Sequence, residues 1–123
     1  MLRRLQLSHV LESGYVNLRC SWEQGCSPGL DLSNTSDPEN THERTAQAFA
    51  ESFPALFPGK EKPDHVAVGC CAEFAVTAER VRQRRKEEYE YYRKWILKTP
   101  YSDSMSGRVF EYSWHRMFFP LCL

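Results

Sequence analysis

The stretch L-R-R-L-Q-L-S-H-V-L-E-S-G-Y-V-N-L-R-C, residues 2–20, sets the fold class. Residues 2–11 put Leu2, Leu5 and either His9 or Val10 on one helical face, with Arg3 and Arg4 outside it, and this spacing predicts a short helix. Gly14 is its stop, because glycine takes the left-handed conformation that ends helices without a Cβ penalty. Directly after it, Tyr15-Val16-Asn17-Leu18-Arg19-Cys20 alternates apolar and polar over a full strand length. Helix into glycine into strand is the order of an α/β unit.

Working outward, residues 23–41 change character. Gly25, Pro28, Gly29, Asp31, Ser33, Asn34, Ser36, Asp37, Pro38 and Asn40 predict an exposed loop, taken as 24–41. Asn34-Thr35-Ser36 fits the N-glycosylation pattern, which matters only in a secreted chain. From His42 a helical stripe of Ala46, Phe49, Ala50 and Phe53 begins, with Thr41 as its expected cap. The tract P-A-L-F-P-G-K-E-K-P then interrupts regular structure from Pro54. A second extended stretch covers 65–76, ending in a buried strand at Phe74-Ala75-Val76. Thr77 caps a helix expected to run to about Leu97, through the basic run Arg80, Arg82, Arg84, Arg85 and Lys86. Residues 100–107 form a turn, and a last helix runs from about Gly107 until Pro120 stops it.

A chain of 123 residues, 41% hydrophobic and 13% aromatic, holds one small domain with a buried core. Sixteen basic and sixteen acidic residues leave no net field pointing to nucleic acid or an anionic membrane. No apolar run reaches the roughly 18 residues of a membrane span. Near the N-terminus Gln6, Ser8 and His9 interrupt the apolar residues and no small-residue cleavage site follows, so no signal peptide is expected. The five cysteines, Cys20, Cys26, Cys70, Cys71 and Cys122, are compatible with buried thiols or with two disulfides and one thiol; as a metal set their spacing is a weak match.

Nucleophile elbows, P-loops, dinucleotide fingerprints, H-E-x-x-H helices and D-x-D triplets are absent. No motif identifies a cofactor, and no metal-ligand set is read. The candidate chemistry centres on S-G-R-V-F-E-Y-S-W-H-R-M-F-F, residues 106–119, where Phe110, Trp114, Met117 and Phe118 share an apolar helical face. Arg108, Glu111 and His115 fall at i, i+3 and i+7 on a second face. Glu111 and His115, four apart, can touch, and a carboxylate there would orient the imidazole and raise its pKa, as a general base requires. Arg108 can hold a carboxylate or phosphate. The same three residues also satisfy a charge ladder that only stabilises a helix. Glu73 sits in the apolar run C-C-A-E-F-A-V, where a carboxylate must be paired, face a cleft or face solvent. Asp103 is either a turn residue or a loop carboxylate serving the site. The basic run reads either as an anion surface or as a solvated face paired with Glu87, Glu88 and Glu90.

Three blocks, G-Y-V-N-L-R-C-S-W, G-C-C-A-E-F-A-V-T-A-E-R-V-R-Q-R and S-G-R-V-F-E-Y-S-W-H, resemble in this order a fungal family of uncharacterised proteins filed as a domain of unknown function. The resemblance covers roughly residues 2–119. It implies a large preceding half, so the chain is read as a single partial α/β domain over 1–123, with three or four helices and two or three short strands. The chain departs from the family at Phe118-Phe119-Pro120 and at Arg85. The family in turn resembles nucleotide-sugar glycosyltransferases. That likeness implies a nucleotide sugar or glycan as ligand, Glu111 or Glu73 as an acceptor-side base, and Arg108 on a phosphate or sugar hydroxyl. An incomplete sheet would leave an apolar strand edge, so self-association through that edge is expected. The other readings are a non-catalytic scaffold or interaction protein, or an inactive remnant.

Overall fold

A computed structural model describes residues 2–18, 29–34, 37, 39–68 and 72–118. All five cysteines lie outside them, so their pairing does too. After a 3-10 turn at Leu2–Arg4 come α1 (Leu7–Ser13), β1 (Tyr15–Asn17), β2 (Leu30–Asp31) and α2 (Thr41–Leu56). Next are β3 (His65–Val66), β4 (Phe74–Val76), α3 (Ala78–Arg82), α4 (Lys86–Lys98), α5 (Asp103–Glu111) and α6 (Trp114–Phe118). The α/β class holds. The described strands form two antiparallel pairs, β1 with β4 and β2 with β3.

The unit that decides the fold class forms as its sequence requires. Gly14 takes φ +78° and returns its N–H to the Val10 carbonyl, ending α1. A β-carbon at Gly14 would stand 2.8 Å from Arg80 Nε, so this glycine also admits α3. From there β1 enters its ladder with Tyr15 opposite Val76, Val16 opposite Ala75 and Asn17 opposite Phe74. Leu18 N–H to the Glu73 carbonyl and Thr77 N–H to the Gly14 carbonyl, both 2.9 Å, extend the ladder at each end.

Within the expected loop 24–41, Leu30 and Leu32 are instead buried, and Leu30 pairs with Val66 in the second sheet. Two apolar side chains two residues apart anchor one face of a short strand; turn residues around them hid that signal. Asn40, not Thr41, caps α2, its side-chain oxygen accepting the His42 N–H at 2.9 Å. The helix passes through Pro54 to Leu56. A proline one turn from a helix end forfeits one hydrogen bond and does not break the packing of Phe49, Phe53 and Leu56, each about 1% exposed.

Two expected long helices divide. Between α3 and α4, Arg85 is extended, and Glu88 folds back to accept its N–H at 3.0 Å. The break relieves like charges at i, i+4 (Arg80 with Arg84, Arg82 with Lys86), and Tyr89 Oη seals the corner on the Val81 carbonyl at 2.7 Å. Between α5 and α6, Ser113 is fully buried and turns its hydroxyl back to the Val109 carbonyl at 2.6 Å, a bond that bends helices. The Ser113 carbonyl accepts both Arg116 and Met117 N–H at 3.0 Å and restarts the chain as α6.

The core is one aromatic cluster with two wings. On one side Phe49, Phe53 and Phe57 of the α2 region pack in series. On the other, Tyr15, Phe74, Trp114 and Phe118 join the first sheet to α6, with Phe74 5.5 Å from both Trp114 and Phe118. The α5 side bridges them, through Tyr112 to Phe49 and Phe110 to Trp114.

Candidate functional site

The residues singled out from sequence spread over three places. Asp103 stands in the first turn of α5, which begins four residues ahead of the expected Gly107. Ser102 Oγ caps that turn on Met105 N–H at 3.3 Å, and a carboxylate here complements the positive end of the helix. Its side chain is exposed, as is that of Arg108 on the same helix. Neither carries an ion pair among the described residues. Glu111 is half-buried at the end of α5.

His115 lies on α6, past the break at Tyr112-Ser113, so the i, i+4 relation to Glu111 is lost and the expected contact is not made. Its Nδ1 is buried without a hydrogen-bond partner, and so is Trp114 Nε1 beside it. Burial, with the positive Arg116 next door, pushes the His115 pKa down to about 4. A carboxylate contact would push it up. The imidazole is therefore neutral at pH 7 and a weak base.

Glu73 precedes β4, half-buried. The ladder register pairs it with Leu18, and paired residues of an antiparallel ribbon project to the same side. Glu73 thus shares a sheet face with Val16, Leu18 and Ala75, while Tyr15, Asn17, Phe74 and Val76 face the aromatic core.

Two cavities involve residues that the sequence left unassigned. A groove of about 350 Å³ lies between the N-terminal segment and β1; Arg4, Gln6, His9 and Asn17 supply its polar groups and Leu5, Val10, Val16 and Leu18 the apolar ones. A cleft of about 140 Å³ is lined by Arg80, Gln83, Arg84, Glu88 and Met117. Arg84 is the fixed point of that cleft. Its Nε donates to the Met117 carbonyl at 2.9 Å and its Nη2 to Arg116 O at 3.4 Å, at the end of α6 where carbonyls lack helical partners. Nη1 meets Glu88 Oε1 at 2.9 Å, and the guanidinium lies 5.6 Å from the centre of the Tyr92 ring. Arg80 Nη1 donates to Gln83 Oε1 at 3.2 Å. Arg85 and Lys86 meet Glu88 and Glu90 at the surface, so part of the basic run is a solvated, paired face. The run itself was the only signal for Arg80 and Arg84. The groove had none, because it brings together residues a dozen apart with no shared motif.

Among the described residues no group of histidine, cysteine, aspartate and glutamate is arranged to hold a metal ion, and no helix is long and apolar enough to cross a membrane. Residues 1–120 match the family described as Protein of unknown function (DUF3431), and the chain belongs to that family. No curated protein and no solved structure matches it.

Proposed function

We propose that the chain is a glycosyltransferase-like domain that binds a nucleotide sugar, with a phosphate group received at the cleft of Arg80, Gln83 and Arg84. The observation that carries this reading is Arg84. Its guanidinium is held in place by two main-chain carbonyls and Glu88, so it stands pre-ordered beside Arg80 where F-A-V-T runs into α3. Two guanidinium groups stand at this cleft, and fixed guanidinium donors suit phosphate oxygens. In this reading Glu73 is the acceptor-side base ahead of Glu111, because it stands just before β4, the strand that leads into α3 and its arginines. His115 is set aside as a base by its low pKa, and Arg108 and Asp103 serve solvent-side contacts to a glycan.

Isothermal titration with UDP-glucose, GDP-mannose and inorganic pyrophosphate tests it. Saturable binding, weakened about tenfold or more by Arg80→Ala through loss of a charge-assisted contact, is expected. No heat with any of the three overturns the reading. A second reading, a non-catalytic scaffold, is favoured by the break that puts His115 on α6 while Arg108 and Glu111 stay on α5. It predicts a folded chain with no response to any nucleotide sugar.

A further inference from the structure

Two of the contacts that hold Arg84 are to main chain, and a third is not. Nε and Nη2 donate to the Met117 and Arg116 carbonyls at 2.9 and 3.4 Å, and neither carbonyl can withdraw unless α6 moves. Nη1 donates to Glu88 Oε1 at 2.9 Å. That partner is a side chain, 37% exposed against 15% for Arg84, and it can leave by rotation about its own bonds. Glu88 is the movable partner of a fixed cation.

Glu88 also lines the cleft of about 140 Å³, together with Arg80, Gln83, Arg84 and Met117. Its carboxylate lies where an entering anion would meet Arg84. A guanidinium offers the same forked donors to a carboxylate and to a phosphate, so the two compete for one position. Their like charges also oppose joint occupancy. The carboxylate has a second hold outside that position: Oε2 accepts the Arg85 N–H at 3.0 Å, and Arg85 Nε stands 4.0 Å from it at the surface. Oε1 can therefore let go of Arg84 while Oε2 keeps Glu88 at the α3–α4 corner.

We infer that Glu88 is a built-in competitor for the arginine cleft, a latch that an incoming phosphate group displaces from Arg84 Nη1. The inference rests on the reading of that cleft as a phosphate site. A tethered carboxylate acts at an effective concentration on the order of millimolar, so a ligand carboxylate gains little by replacing it. A phosphate group brings more negative charge and more acceptor oxygens to the exchange. Glu88 thus lowers the affinity of the cleft and biases it toward phosphate. A Glu88 that merely propped Arg84 in place would have the opposite effect, since its loss would weaken binding.

Isothermal titration of the full chain with inorganic pyrophosphate tests the sign. Glu88→Gln keeps an oxygen for the Arg85 N–H and removes the charge, and it should bind about fivefold more tightly than the wild type, the size of a partly exposed ion pair. Glu87→Gln removes the same charge one residue away, at an exposed position, and should change affinity less than about twofold, as a screened surface charge does. In the wild type the side-chain carboxyl carbon resonance of Glu88 should shift with the same saturation curve as the heat, a readout that needs no variant. Binding by the wild type with Glu88→Gln unchanged, weaker, or tightened no more than Glu87→Gln overturns the latch alone, as does a Glu88 resonance that stays still while pyrophosphate binds. No heat from the wild type or Glu88→Gln overturns the phosphate reading of the cleft, and the latch with it.

Discussion

At the scale of single residues, Arg84 and His115 carry opposite lessons about buried polar groups. Arg84 has partners for three of its nitrogens and its side chain is about 15% exposed. Arg84→Met keeps the apolar stem but strips the Met117 and Arg116 carbonyls and the Glu88 carboxylate of their donor. Hydrogen bonds from a charged group contribute about 1.5–3 kcal/mol each when one partner is removed, discounted here because Glu88 reaches water. A loss of about 2–3 kcal/mol in urea unfolding is expected; an unchanged midpoint would mean the α6 end is satisfied by other means. His115 is a cost instead. Its folded pKa of about 4 lies below the usual 6.5, so the unfolded chain takes up the proton first as pH falls. Stability is unaffected above pH 6.5 and declines as pH drops toward 4, by about 2 kcal/mol after allowing for partial exposure of the ring. His115→Phe should remove this slope while leaving stability at pH 7.5 within about 1 kcal/mol. Urea midpoints of both proteins at pH 7.5, 6, 5 and 4 check it, since the carboxylates common to both cancel in the difference.

At the scale of elements, Gly14 is where local rule and tertiary packing coincide. Its positive φ is the helix stop expected from sequence, and the Arg80 side chain against it is the part no local rule could supply. Gly14→Ala meets both: the left-handed conformation costs about 1 kcal/mol, and the guanidinium must retreat. A loss of about 1–2 kcal/mol is expected, and Arg80→Ala in the same chain should recover the steric part but not the backbone part. A double-mutant cycle that shows no coupling would sink that assignment. The same division explains what was legible. Elements bounded by strong local chemistry, Gly14 after α1 and Thr77 before α3, stand where the residues place them. The elements that moved are those fixed by distant partners. Leu30 becomes a strand only because Val66 covers it, α4 separates from α3 because Glu88 reaches back to Arg85, and α5 parts from α6 at a serine that bonds four residues behind. That last break also takes His115 off the helical face expected to carry Arg108 and Glu111, since helical spacing holds only while the helix does.

At the scale of the molecule, the question is whether the two aromatic wings fold as one. The α2 wing holds the second sheet and the α6 wing the first, and α5 with Tyr112 ties them, packing on α2 while Phe110 reaches Trp114. A shared bridge of buried aromatics makes the loss of one wing expose surface on the other, so a single cooperative transition is expected. Phe49 is the sharpest probe. It is about 1% exposed, touches Phe53 and Tyr112, and belongs to the wing opposite Trp114. Phe49→Ala should cost about 3–4 kcal/mol, a large share of the roughly 5–15 kcal/mol that holds a domain together. In a Trp22→Phe background the indole signal comes from Trp95 and Trp114 alone, both on the far side of the bridge. If the wings are coupled, Phe49→Ala shifts the fluorescence midpoint and the far-ultraviolet dichroism midpoint equally. If fluorescence stays at its parental midpoint while dichroism moves, the wings unfold separately. The Arg84 tie at α6 then belongs to a unit that survives without α2, and that unit contains the arginine cleft.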